Sequence, residues 1–304
     1  MNIEDALNEA LGEKTGPAVP LADGLPATVG VLGGGRMGAG IAHAFLVKGA
    51  KVVVVERDDE AAQGARSRVE SSVAASVERG AASVRAEELM ADFATSVDYA
   101  DFAFCDLVVE AVPEDPTLKA TALAAVEEQI SPHAWLATNT SSLSITGLAA
   151  SLERPAQFLG LHFFNPVPAS TLIEVVVGES TAEATVAAAR RWVSALGKTA
   201  VVVKDAPGFA SSRLGVAIAL EAMRMLEEGV ADAEDIDNAM VLGYRHPVGP
   251  LKTTDIVGLD VRLGIAEYLQ KTLGERFAPP QILRDKVADG HLGRKTGKGF
   301  YDWS

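Results

Sequence analysis

His162 closes the apolar run Gly160-Leu161-His162-Phe163-Phe164-Asn165-Pro166, and Glu174 lies in the next apolar run. An imidazole suits proton removal from a substrate hydroxyl, because its ordinary pKa lies near operating pH. A carboxylate on the far ring nitrogen fixes the tautomer and stabilises the imidazolium. Glu174, on the strand after His162, could supply it. The other four histidines offer less. His43 falls on the first predicted helix, a packing or surface position, and His133 follows Pro132 in a turn. His246 and His291 sit in loops of the C-terminal part.

A second chemical pattern is Gly33-Gly34-Gly35-Arg36-Met37-Gly38, which satisfies G-x-G-x-x-G. The pattern is weak alone, but here it follows a predicted strand and opens a helix, the context a dinucleotide needs. Gly33 permits the tight turn, Gly35 lets a pyrophosphate approach the backbone, and Gly38 lets helix and strand pack closely. Arg36 and Met37 begin the helix whose N-terminus faces the phosphate charge. The next strand ends at Glu56, where a carboxylate can accept hydrogen bonds from ribose hydroxyls and repel a 2′-phosphate. NAD is therefore favoured over NADP. If Arg57 rather than Glu56 faced the ribose, a 2′-phosphate would be tolerated.

Strands alternating with helices must position these groups. Ala27–Leu32, Lys51–Val55, Asp106–Val112, Ala134–Thr138, Gln157–Phe163, Leu172–Val177 and Thr199–Val203 read as strands. Arg36–Gly49, Asp58–Gly80, Pro116–Ile130 and Thr181–Leu196 read as helices. The alternation predicts an α/β, Rossmann-type, doubly wound and mostly parallel sheet. In such sheets the ligand crevice lies beyond the carboxyl ends of the strands, which is where His162 falls. After Asp205 the texture changes. Phe209–Glu228 is one long helical run, and helical segments continue to about Asp289, broken at Gly243, Pro247, Gly249-Pro250 and Pro279-Pro280. Residues 1–26 read as an N-terminal extension, 27–205 as the dinucleotide-binding domain, and 206–304 as a smaller all-helical domain.

Composition narrows the partners. A net charge of −14 repels phosphate backbones, which disfavours nucleic acid but not a small anion held by local donors. Cys105 is the single cysteine, so an intrachain disulfide and a thiolate metal cluster are both excluded, and a reducing cytosol fits. Its neighbours suggest the entry to a buried strand. No apolar run approaches a membrane span, and the acidic start MNIEDALNEALGEKTG is unlike a signal peptide. That start reads as a short amphipathic helix.

Taken in order, these motifs resemble the L-3-hydroxyacyl-CoA dehydrogenase family, particularly its bacterial single-function 3-hydroxybutyryl-CoA branch. The resemblance runs from about Thr28 to Trp303. It includes Gly33–Gly40, Val108-Val109-Glu110-Ala111, Asn139-Thr140-Ser141-Ser142-Leu143, His162–Pro168 with Glu174, Pro207-Gly208-Phe209, Gly249-Pro250, Asp255–Asp260 and Gly293–Tyr301. It implies hydride transfer between C3 of an acyl-CoA and NAD, with His162 as base or acid and Glu174 as its orienting partner. It implies Ser141 on the substrate 3-oxygen and Asn165 in the same pocket. Glu110, Lys119, Asn139 and Lys295 would lie at the cofactor, and Ser72 and Arg79 at the CoA. Two of these positions have plainer readings, Arg79 as a solvated helix charge and Ser141 as a turn residue. A homodimer through the helical domain, with an apolar stretch at Leu214–Leu226, is also implied. One position departs: Ser212 stands where the family usually has an active-site asparagine. A sugar-acid 3-dehydrogenase of the same superfamily would share the glycine loop and the histidine. A dinucleotide-binding scaffold without turnover would not need the full set of His162, Glu174, Ser141 and Asn165.

Overall fold

The computed structural model describes residues 21–82 and 84–303. The helix expected at the start of the chain lies outside them. Residues up to Asp205 form one compact unit, and those from Ala206 form a second.

The first unit is built on β1 (Thr28–Leu32), α1 (Arg36–Leu46), β2 (Lys51–Val55), α2 (Asp59–Glu78), α3 (Ala86–Met90), β3 (Phe93–Ser96), β4 (Leu107–Glu110), α4 (Pro116–Gln129) and β5 (Trp135–Thr138). It continues with α5 (Ile145–Ala149), β6 (Phe158–Phe163), β7 (Leu172–Val177), α6 (Glu183–Ala195) and β8 (Thr199–Lys204). The strands pair in the order β3-β2-β1-β4-β5-β6-β7-β8. Neighbours are parallel except β6 and β7, which are antiparallel. This is the doubly wound α/β sheet that the alternation predicts. The valine run of β2 suits a sheet covered on both faces. Alternate residues Val29, Val31, Val52, Val54, Leu107 and Val109 join Ile41, Phe45, Val69 and Val73 in one core.

Local chemistry sets the helix starts. The Asp58 carboxylate accepts from Ala61 N at 2.7 Å and caps α2. Asp115 caps α4 by accepting from Leu118 N, with Pro116 following in the first turn. The structure adds β3, α3 and α5 to the elements expected from sequence. Cys105 is buried, but it ends a 3₁₀ turn (Tyr99–Phe104) rather than entering a strand. The strand begins two residues later at Leu107, because the Asp106 side chain turns back to accept from Thr28 N at 3.0 Å.

The second unit is helical: α7 (Ser211–Glu227), α8 (Ala233–Tyr244), α9 (Pro250–Val257), α10 (Leu259–Leu273) and α11 (Gln281–Ala288). Val216, Leu220, Met223, Ile236, Leu251, Leu259 and Leu269 form its core. Two buried carboxylates fasten it. Asp237 accepts from Leu251 N and Lys252 N at the start of α9. Asp255 accepts from Phe300 N, Tyr301 N and Trp303 Nε1, and so holds the C-terminal segment. Added β-carbons at Gly249 and Gly299 would lie 2.2 Å from atoms of these carboxylates. Glycine is required there by close approach.

Candidate active site

Since β1, β4, β5 and β6 run parallel, the residues at their carboxyl ends share one edge of the sheet. Gly33, Glu110, Asn139 and His162 all lie at or just beyond these ends. His162 pairs in register with Glu174 across β6 and β7. Its Nδ1 lies 2.8 Å from Glu174 Oε2, and the two residues are 6% and 0% exposed. A carboxylate only accepts, so the bond places the proton on Nδ1 and the lone pair on Nε2. The Phe164 ring sits 4.3 Å from the imidazole, centroid to centroid. Asn139 Oδ1 accepts from Phe163 N at 2.9 Å, tying the end of β5 to the residue after the histidine.

Two acids near β4 play different parts. Glu110 is fully buried and ion-paired to Lys119 at 2.8 Å. Its oxygens also accept from Val112 N and from Thr138 Oγ1, each at 2.6 Å. Lys119, 1% exposed, donates in addition to Val112 O. Such a satisfied buried pair holds the turn after β4 in place. Neither residue lines either of the two grooves described below. Glu114 is the acid that faces the Ser141 turn. Its Oε1 accepts from Thr140 Oγ1 at 2.6 Å, from Ser141 N at 2.9 Å and from Ser141 Oγ at 3.2 Å. Ser142 adds its N–H and hydroxyl. Burial pushes the Glu114 carboxyl up. The Lys119 ammonium and the bonds from Thr140, Ser141 and Ser142 outweigh that and leave it below the usual range. Sequence reasoning missed Glu114. The signal for it was a second carboxylate four residues after Glu110, just before the Asp115 cap.

The glycine loop has the expected strain relief. Gly33 has φ +90, and an added β-carbon on Gly38 would lie 1.8 Å from Gly33 O. At Gly34 it would lie 2.3 Å from the Ala65 β-carbon, whereas at Gly35 nothing stands within 4 Å. The loop therefore packs tightly on α2 and stays open at Gly35, where α1 begins. A groove of about 910 Å³ lies here, lined by Gly33, Gly35, Arg36, Met37 and Glu56 among others. Glu56 Oε1 accepts from Gly34 N at 2.7 Å, which fixes the carboxylate at the loop. Arg57 is turned outward and bonded to Asp58 at 2.9 Å. These residues fit a dinucleotide: an N-terminal helix end for phosphate, an open glycine and an acid for ribose hydroxyls.

A second groove, about 970 Å³, lies further along the same face of α2, towards its C-terminus. Ser72 and Arg79 line it, together with Arg36, Arg68 and Asn165. Ser72 Oγ donates to Arg68 O within the helix. Asn165 is exposed on this groove, three residues beyond His162. In the helical unit, Ser212 sits half-buried in the first turn of α7. Lys295 lies in a 3₁₀ turn (Arg294–Thr296) and donates to both oxygens of Asp260 at 2.6 Å, a partner in its own unit.

The fold and the glycine loop define a dinucleotide-binding architecture. The profile of the 3-hydroxyacyl-CoA dehydrogenase NAD binding domain matches residues 28–206, and that of the C-terminal domain of the same enzymes matches 208–303. The chain belongs to the 3-hydroxyacyl-CoA dehydrogenase family, and its cofactor is NAD. It is 40% identical over 275 residues to a probable 3-hydroxybutyryl-CoA dehydrogenase of Deinococcus radiodurans, covering 90% of this chain and 99% of the relative. It is 37% identical to the 3-hydroxybutyryl-CoA dehydrogenase of Bradyrhizobium diazoefficiens, covering 90% and 94%. The crystal structure of (S)-3-hydroxybutyryl-CoA dehydrogenase from Ralstonia eutropha superposes with a TM-score of 0.87 at 38% identity, covering 92% of this chain and 100% of that one.

Proposed function

We propose that this chain interconverts short L-3-hydroxyacyl-CoA thioesters, of which 3-hydroxybutyryl-CoA is the simplest reference, with their 3-keto forms. The observation that carries the reading is the buried bond between His162 Nδ1 and Glu174 Oε2 at the ligand edge of the sheet. In the oxidative direction Nε2 of His162 takes the proton of the 3-hydroxyl, and Glu174 stabilises the resulting imidazolium. Bound NAD supplies the acceptor for the hydride that leaves C3. Ser141 and Asn165 orient the substrate oxygen and the acyl end, and Glu114 holds the Ser141 turn. Gly33, Gly35, Arg36, Met37, Gly38 and Glu56 hold the dinucleotide. Glu110, Lys119 and Asn139 support its nicotinamide end from below. Lys295 binds the cofactor, and Asp260 orients its ammonium. Ser72 and Arg79 bind the CoA along α2, with Arg36 and Arg68 adding positive charge to an otherwise acidic protein. Ser212 contributes a polar contact to the substrate.

The chain acts as a cytoplasmic homodimer through its helical domain. Exposed Leu214 and Ile218 on α7, and Ile256, Val257 and Val261 on α9 and α10, support the dimer. The lone buried cysteine supports the compartment. No described helix is long and apolar enough to cross a membrane.

The test is NADH oxidation with acetoacetyl-CoA. His162→Ala should lower turnover by on the order of 10²–10⁴-fold while NADH binding survives. More than a tenth of wild-type turnover in that variant would remove His162 as the base. No turnover by the wild type would favour a binding protein instead.

A further inference from the structure

The loop from Phe164 to Thr171 leaves β6 just past His162 and returns along β7 towards Glu174. Pro166 and Pro168 have no N–H to donate. Ala169 N and Ser170 N both donate to Pro166 O, at 3.1 and 3.0 Å. The carbonyls of Val167 and Ser170 accept instead from Lys198 Nζ, the first at 2.8 Å. Val167 is 2% exposed and packs on α1, where a β-carbon on Gly40 would stand 2.9 Å from its Cγ2. One apolar side chain and one ammonium therefore fasten the inner side of the loop. Its exposed residues Asn165, Pro166, Pro168 and Ala169 line the groove of about 970 Å³. Lys198 is itself placed by backbone. Gly197, at φ +75, ends α6; its N–H donates to Ser194 O and that of Lys198 to Val193 O, which delivers the lysine to the start of β8. Thr199 N then donates to Thr171 O at 2.7 Å. Burial first, and the Lys48 ammonium second, lower the Lys198 pKa, with no carboxylate acting in the other direction. A half-buried cation in such surroundings is held by what its donors reach, here two carbonyls of one loop.

We propose that Lys198 is a positioning residue for the acyl-CoA: by holding the carbonyls of Val167 and Ser170 it sets the 164–171 loop as a wall of the substrate groove, and it serves thioester binding without serving dinucleotide binding. The proposal rests on the thioester reading given above. Lys198 does not touch the dinucleotide groove, whose lining comes from the glycine loop, the start of α2 and the start of α4. Its loss therefore separates the two ligands, which a general weakening of the fold would not do.

The experiment measures KM and kcat for acetoacetyl-CoA, and Kd for NADH by fluorescence titration, in the wild type and two variants. Lys198→Met keeps the stem and removes the donors. Its KM should rise by about tenfold or more, the scale of a lost charge-assisted hydrogen bond, with a smaller loss in kcat. The NADH Kd should stay within about twofold. Lys198→Cys should show the same defect. Its thiolate can then displace bromide from 2-bromoethylamine, forming a thioether that carries an ammonium at the length of lysine. Cys105 is buried, and burial pushes its thiol pKa up, so the native cysteine is spared; wild type treated alike is the control. Alkylation should return KM to within about twofold of wild type. The cysteine pair gives the answer even if Lys198→Met does not fold. An unchanged KM in either variant overturns the proposal, as does a defect that persists once the ammonium is restored. KM and NADH Kd rising together also overturn it, since the lysine would then serve the fold as a whole. Those results leave the functional reading standing, whereas no turnover of acetoacetyl-CoA by the wild type defeats that reading itself.

Discussion

Glu174 and His162 occupy directly opposed positions on antiparallel neighbours, and their side chains meet at 2.8 Å. Opposed residues on antiparallel strands hold their β-carbons roughly 4.5–5.5 Å apart, so the backbone itself sets the contact. Glu174→Gln keeps the shape and removes the charge that answers an imidazolium. Turnover should fall by on the order of 10²–10⁴-fold, with a much smaller change in KM. A change confined to KM would contradict the orienting role.

Gly38 packs against the carbonyl of Gly33. Gly38→Ala cannot be absorbed by a flexible side chain, because the obstacle is backbone. Its cost should reach about 3 kcal/mol, the upper range for overpacking, and NADH affinity should fall with it. Urea denaturation of the variant beside the wild type measures the first, and fluorescence titration with NADH the second. Unchanged midpoint and affinity would mean that the loop has room to move.

His43 is buried and bonded through Nε2 to Ser76 Oγ at 2.8 Å, a packing role. Burial lowers its pKa from 6.5 to about 4, with Arg79 and Lys198 adding to the effect. The unfolded chain binds this proton near pH 6.5 and the folded protein only near pH 4. Stability from this group is therefore fully present above pH 6.5 and declines as the pH falls towards 4. The loss is on the order of 3 kcal/mol. His43→Gln should flatten that decline relative to wild type in urea midpoints measured across the window. Parallel curves would show that His43 titrates normally.

Glu56 is fixed on the glycine loop while Arg57 is drawn away by Asp58. NADH should be preferred over NADPH by at least roughly 1.4 kcal/mol, a tenfold ratio in kcat/KM. Equal constants would mean that Arg57 swings in to meet the 2′-phosphate.

Much of this architecture is legible in the chain because it is written locally. The valine run of β2, the Asp58 and Asp115 caps and the glycine pattern each follow from neighbours a few residues apart. Other features depend on distant partners. Phe93–Ser96 is too short and too plain to announce itself, and becomes a strand because β2 offers an edge. The opposite directions of the His162 and Glu174 strands are written in no single residue but in the length of their link, since the eight residues between Phe163 and Leu172 are too few for a parallel crossover. The choice between Glu110 and Glu114 was better hidden, since both follow the same valines. Only the folded chain shows that Glu110 is sealed by Lys119 and Thr138 while Glu114 reaches Ser141.

One face of helix α2 lines the two grooves in succession, and Arg68 borders both. Its Nη1 also donates to Gly34 O at 3.1 Å, so the shared wall is bolted to the glycine loop. A wall shared in this way cannot be moved for one tenant alone. Whatever free energy filling one groove adds to or removes from the other must return in equal measure when the order of filling is reversed. Order of addition can then alter the rates at which the two ligands arrive, but never the affinity of the final pair.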